Sequence, residues 1–113
     1  MKVPNAENAI IDPQKLVNYI LSTAHPLGRF KAGFFSRLGY SSEEWQQFER
    51  HLREQVLTQD VTAVETSRYG QKFIIEGALT GPTGETVQII AVWVILDGET
   101  VPRFVTAYPM RLR

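Results

Sequence analysis

Hydrophobic positions recur with helical spacing up to about residue 57 and with the shorter rhythm of strands from residue 60 onward. Asp12-Pro13 reads as an N-cap followed by proline at the first helical position, where its missing N–H costs nothing. Leu16, Val17, Ile20 and Leu21 follow at i, i+1, i+4, i+5, which predicts a short amphipathic helix to about Ser22. The Pro- and Gly-containing stretch Thr23-Ala24-His25-Pro26-Leu27-Gly28 breaks the pattern. A second helix is predicted from Arg29 to Leu38, with Phe30, Phe34 and Leu38 along one side and Phe35 beside them, ended by Gly39 at the left-handed C′ position. Ser41 and Glu44 form a capping box that opens a third helix reaching about Leu57, whose apolar stripe is Trp45, Phe48, Leu52 and Val56.

Four strands are predicted next: Val61 to Thr66, Lys72 to Leu79, Val87 to Leu96 and Arg103 to Tyr108. Turns fall at Ser67-Arg68-Tyr69-Gly70, Gly81-Pro82-Thr83-Gly84 and Asp97-Gly98. The implied class is α+β, three N-terminal helices packed on a four-stranded antiparallel meander. As one domain, the chain divides into an extended arm over 1–11, a helical part over 12–58 and a sheet over 60–109. The run Val87–Leu96, which contains Trp93, is apolar at both parities. One face of that strand is expected to meet the helices; curvature, the N-terminal arm or a dimer contact would have to cover the other.

Composition narrows the class without naming an activity. A chain of 113 residues with 43% hydrophobic and 21% charged positions suits a single globular domain that folds without staples. There are no cysteines, so disulfides and thiolate metal sites are excluded. The N-terminal residues hold no apolar run suited to a signal peptide and no window suits a membrane span, so the expected location is the cytoplasm. Net charge is zero but unevenly distributed. Positions 13–42 carry Lys15, Arg29, Lys31 and Arg37 with no acid, positions 43–65 are mostly acidic, and the last eleven residues add Arg103, Arg111 and Arg113. Local potential is what an anionic ligand feels, although solvated surface charge would produce the same pattern.

His25 is the candidate centre of chemistry. It precedes a helix whose first turn carries Arg29 and Lys31, and a helix start offers free N–H groups to an anion. His51, between Arg50 and Arg53, is expected at the surface. Cleavage of RNA by attack of its own 2′-hydroxyl, without a metal or other cofactor, needs proton-transfer groups and cations facing the phosphorane. In that reading His25, Lys31 and Tyr108 are catalytic candidates, while Arg29, Arg68, Lys72 and Thr106 are phosphate-binding candidates. The plain alternative makes His25 part of a turn and Thr106 and Tyr108 ordinary strand residues. No Gly-x-Ser-x-Gly elbow, His-x-x-x-His spacing, paired carboxylates or nucleotide-binding loop is present.

The segment Lys15-Leu16, Tyr19-Ile20-Leu21, His25-Pro26-Leu27-Gly28-Arg29-Phe30-Lys31-Ala32-Gly33-Phe34-Phe35 and Leu38-Gly39-Tyr40, with Tyr69-Gly70, Glu76-Gly77-Ala78-Leu79-Thr80-Gly81-Pro82 and Val105-Thr106-Ala107-Tyr108-Pro109, resembles a bacterial domain family of unknown function. The resemblance extends from about Ile11 to Pro109. It implies a small domain that stands alone or is appended to toxin-like or phage-related chains, and it implies no mechanism. More distantly, the order of elements is similar to the barnase, EndoU, colicin and RelE-like ribonuclease toxins, which place their active site on the concave face of a four-stranded sheet. That similarity implies RNA as a partner and a ribonuclease-like activity. Against it stand a non-catalytic module that pairs with a cognate protein or a second copy through its sheet, favoured by the two-faced strand at Trp93, and a small-ligand domain built around an apolar cavity.

Overall fold

The computed structural model describes residues 1–22 and 29–110. Four strands, β1 (Ala63–Ser67), β2 (Gly70–Thr80), β3 (Thr86–Leu96) and β4 (Arg103–Pro109), lie in the order β1-β2-β3-β4, all neighbours antiparallel. This is the expected meander, within two residues of the expected bounds. The β2–β3 loop docks on the end of the second helix, where Thr83 N–H donates to the Leu38 carbonyl at 3.1 Å.

The first helix, α1, opens as Pro13–Lys15, with the Asp12 carboxylate accepting from Gln14 N–H at 2.9 Å, and widens over Leu16–Ile20. There the bonds run i to i+5: Leu21 N–H reaches the Leu16 carbonyl at 2.9 Å. The second, α2, spans Arg29–Arg37. It ends in a Schellman turn, with Gly39 at φ 101° and Tyr40 N–H donating to the Phe35 carbonyl at 3.1 Å, a conformation that favours glycine. The third, α3, spans Trp45–His51 and widens in the same way over Leu52–Val56. It starts later than the capping box suggests. Ser41 Oγ does accept from Glu44 N–H, but that contact closes a separate turn ahead of Trp45.

Phe48, Leu52 and Val56 of α3 are fully buried, as their spacing predicts, together with Leu16 and Ile20 of α1. On α2 the buried face runs through Ala32, Phe35 and Leu38, whereas Phe30 is 76% exposed. The expected stripe through Phe30 is therefore rotated by about one position. Phe35 and Leu38 share one core with these residues of α1 and α3 and with the odd-numbered sheet positions Phe73, Ile75, Leu79, Ile89, Ala91 and Trp93. Trp93 is wholly buried against Phe104, and its indole N–H has no hydrogen-bond partner among the described residues.

The N-terminal arm joins the same core through Val3, Ala9 and Ile11, and it is extended apart from a 3-10 turn at Ala6–Asn8. Arg53 holds it by donating to the Ala9 carbonyl at 2.8 Å, and Ile10 pairs in parallel with Arg103. Ile74, Ile90, Val92 and Val94, on the opposite sheet parity, are absent from that core and only half-buried, so the arm is not their cover.

Two local devices shape the sheet. A bulge in β4 sets Val92 opposite Thr106 but Trp93 opposite Phe104, leaving Val105 as the extra residue. Strict alternation would put Phe104, Thr106 and Tyr108 on one face. The bulge instead sends Phe104 into the core and Thr106 and Tyr108 to the outer face, in register with Val92 and Ile90. The second device replaces β1 where it stops short. Along the uncovered end of β2, Thr62 Oγ1 accepts from Glu76 N–H, Gln59 Nε2 donates to the Ala78 carbonyl, and the Gln55 carboxamide both accepts from Thr80 N–H and donates to its carbonyl. Three side chains thus satisfy an edge that would otherwise expose backbone donors and acceptors.

Candidate functional site

Helices α1 and α2 come together beside β4, where they gather a cluster of polar side chains. The widened turn of α1 carries Tyr19, and α2 carries Lys31. The Lys31 ammonium donates to the Tyr19 hydroxyl and to Thr106 Oγ1 at 3.3 Å. It also lies 4.5 Å from the centroid of the Tyr19 ring and 5.8 Å from that of Tyr108, within the range of cation–π attraction. One turn earlier on α1, Lys15 donates to the carbonyl of the bulged Val105 at 3.2 Å. The bulge thus presents Thr106 and Tyr108 on the outer face and also supplies the acceptor that ties down Lys15.

The electrostatics follow from this geometry. The hydrogen bond from Lys31 holds the Tyr19 phenol below its ordinary value; partial burial opposes this, and a hydrogen bond with Thr106 and the charges of Lys31 and Lys15 reinforce it. A cation held against two hydroxyls and beside an aromatic ring is suited to an anion that brings its own oxygen acceptors. One turn further along α2, Phe34 with Val87, Pro109 and Met110 lines an apolar hollow.

Three of the candidates from the sequence, Lys31, Thr106 and Tyr108, meet in this cluster. Lys72 lies on the same outer face, in register with Val94, but two strands from β4, or about 10 Å at ordinary strand spacing. Arg68 sits in the exposed β1–β2 turn with its guanidinium 5.6 Å from the Tyr69 ring centroid, away from the Lys31 cluster. Arg29 begins α2, and His25 lies outside the described residues. The sequence placed Lys15 and Tyr19 among the residues of the family resemblance but not among the site candidates. Their i, i+4 spacing puts both on one helix face, a signal that could have joined them to Lys31.

His51 departs from the surface position expected of it. It is half-buried, its Nδ1 is 2.6 Å from the Tyr40 hydroxyl, and its ring meets the Tyr40 ring edge-on. Burial pushes its pKa down, Arg50 adds to this, and Glu54 opposes it. Burial also pushes the Tyr40 phenol well up, and its hydroxyl lies within donating distance of the Thr80 carbonyl at 3.4 Å as well as of His51. This pair belongs to the aromatic core with Phe35 and Phe48, and is separate from the β4 cluster. Among the described residues, no three His, Asp or Glu side chains stand close enough to hold a metal ion, and no helix is long and apolar enough to cross a membrane.

The fold and the cluster define an α+β domain with an antiparallel sheet and a lysine–hydroxyl site at its last strand. The chain belongs to the family described as domain of unknown function DUF6883, whose model matches residues 2–111. No curated protein matches it. Among solved structures, a chain of the contact-dependent growth inhibition toxin–immunity protein complex from Klebsiella pneumoniae 342 is similar in fold, with a TM-score of 0.62 and 19% sequence identity over 96% of this chain and 98% of that chain.

Proposed function

We propose that this chain is a toxin-type domain that binds and cleaves RNA at the β4 edge of its outer sheet face, by chemistry that needs no metal. The observation that carries this reading is the Lys31 ammonium held between the Tyr19 and Thr106 hydroxyls beside the Tyr108 ring. Attack of a 2′-hydroxyl on the adjacent phosphate builds negative charge on the non-bridging oxygens, and a fixed cation facing them lowers that barrier. Lys31 takes this role. Thr106 and Tyr108 donate hydrogen bonds to the phosphate, and His25 serves as a proton-transfer group. Arg29, Arg68 and Lys72 attract the flanking phosphates through charge, a contribution that weakens as salt rises. The similarity in element order to ribonuclease toxins supports this reading, as does the fold shared with a chain of a toxin–immunity protein complex. The test is growth inhibition on expression, repeated with Lys31→Ala and His25→Ala. Wild-type toxicity lost in both variants is the expected result; equal behaviour of all three chains argues against catalysis.

A second reading rests on a different observation, the half-buried apolar row Ile74, Val92, Ile90 and Val94 on the outer face. Apolar surface of this kind suits a protein contact. The module would then pair with a cognate protein, or with a second copy, across that face. A strictly monomeric species in light scattering would exclude the second-copy version.

A further inference from the structure

We propose that Tyr19 is a catalytic residue of the cleavage reaction, its phenolic oxygen taking the proton from the attacking 2′-hydroxyl. This rests on the reading of the β4 edge as an RNA-cleaving site and assigns the base within it. The assignment follows from placement. Lys31, the cation that faces the reacting phosphate, is hydrogen-bonded to the Tyr19 hydroxyl and also to Thr106 at 3.3 Å. The 2′-oxygen attacks the same phosphorus whose non-bridging oxygens meet Lys31 and Thr106, so the phenolic oxygen stands one hydrogen bond from the group that anchors the reacting centre. Among the described residues, the charged groups facing that oxygen are Lys31 from α2, whose hydrogen bond it accepts, and Lys15 from its own helix, both positive, and Thr106 from β4 adds a hydrogen bond. This surrounding favours the phenolate, and the Tyr19 phenol lies below its ordinary value in consequence. Tyr19 also sits in the widened turn of α1, an irregularity that recurs at functional sites.

The step balances without an added reagent. The phenolate takes the proton from O2′, O2′ bonds to phosphorus and the bond from phosphorus to O5′ breaks. The departing O5′ takes a proton from solvent by way of the proton-transfer group of the proposed site, leaving a 2′,3′-cyclic phosphate and a free 5′-hydroxyl, and Tyr19 returns its proton to solvent.

The experiment measures cleavage of a fluorescent single-stranded RNA by the full chain across pH, with affinity read separately by anisotropy. Three proteins are compared: wild type, Tyr19→Phe, and a chain with 3-fluorotyrosine at position 19, whose phenol is more acidic. For wild type, the rate should rise tenfold per pH unit and level off below the ordinary tyrosine value of about 10. Tyr19→Phe should lose about 10²- to 10⁴-fold in kcat, the usual contribution of a general base, while RNA affinity changes less than about twofold. Fluorination should move the bend in the profile to lower pH. A Tyr19→Phe chain that cleaves at the wild-type rate, or a bend that fluorination leaves in place, overturns the assignment. Absence of wild-type cleavage would overturn the RNA-cleaving reading itself, an outcome distinguishable from the other two. If Tyr19→Phe fails to fold, the fluorinated chain decides.

Discussion

Replacing Gly77 with alanine puts a methyl group where Gln59 lies. A Cβ built at Gly77 falls 2.0 Å from Gln59 Oε1 and 2.7 Å from its Cδ, so the carboxamide must leave. In its place Gln59 Nε2 donates to the Gln55 carbonyl and the Ala78 carbonyl, each at 2.8 Å, and holds the end of α3 against the uncovered edge of β2. Two hydrogen bonds at about 0.5–1.5 kcal/mol net each make the loss about 1–3 kcal/mol. Alanine recovers about 0.4–1 kcal/mol by restricting the unfolded chain, since Gly77 needs no left-handed backbone. The single variant should therefore lose between roughly zero and about 2.6 kcal/mol, or up to about 20 °C in Tm at roughly 4–8 °C per kcal/mol for a domain near this size. Against Gln59→Ala, where nothing occupies the space, the same substitution should be neutral or stabilising. The assay is a double-mutant cycle by urea denaturation, followed by tryptophan fluorescence, with an expected coupling of about 1–3 kcal/mol. A Gly77→Ala cost that is the same in both backgrounds would refute the picture of Gln59 as a surrogate strand.

Trp93→Ala should cost about 3–5 kcal/mol through the cavity it leaves. Trp93→Phe should cost much less than Trp93→Ala, because a ring still fills most of the space; both variants remove a buried N–H without a partner among the described residues, a relief of about 1–3 kcal/mol. A Trp93→Phe loss as large as that of Trp93→Ala would contradict the packing of this ring in the core. The lowered pKa of His51 means that the unfolded chain binds the proton more readily than the folded one. Stability from this group is therefore full above the ordinary value of 6.5 and drains away as pH falls towards the lowered folded-state value. The Tm difference between wild type and His51→Gln should shrink as pH drops below about 6.5 and stay flat above it, and a difference independent of pH would contradict the buried Tyr40–His51 contact.

Much of the fold was legible because its signals are local. The spacing of Phe48, Leu52 and Val56 marks the buried face of α3, Asp12 and Gly39 mark helix ends, and turn residues separate the strands. What failed depended on distant partners. Phe30 fits a helical stripe as well as Phe35 does, and only the neighbouring core decides which one is buried. The late start of α3 arises because Ser41 and Glu44 close a turn of their own. Gln55, Gln59 and Thr62 read as polar linker residues, and their work along β2 exists only once the edge they cover has formed. Part of the site was legible in the same way. Period two placed Thr106 and Tyr108 on one face, but it would have added Phe104 to them; the bulge at Val105 removes it. Tyr19 stood in the family resemblance but not among the site candidates, because a tyrosine in an amphipathic helix looks like half-buried packing until Lys31 arrives from α2.

The central claim is that Lys31 faces a reacting phosphate. The most direct test incubates purified wild type and Lys31→Ala with single-stranded RNA in the presence of a chelator and resolves the product ends. The account predicts wild-type products ending in 2′,3′-cyclic phosphate, a rate that falls by at least about 10²-fold in Lys31→Ala, as for loss of a group that stabilises transition-state charge, and an unfolding transition close to wild type. Intact RNA with the wild-type chain, or equal cleavage by both proteins, would contradict it.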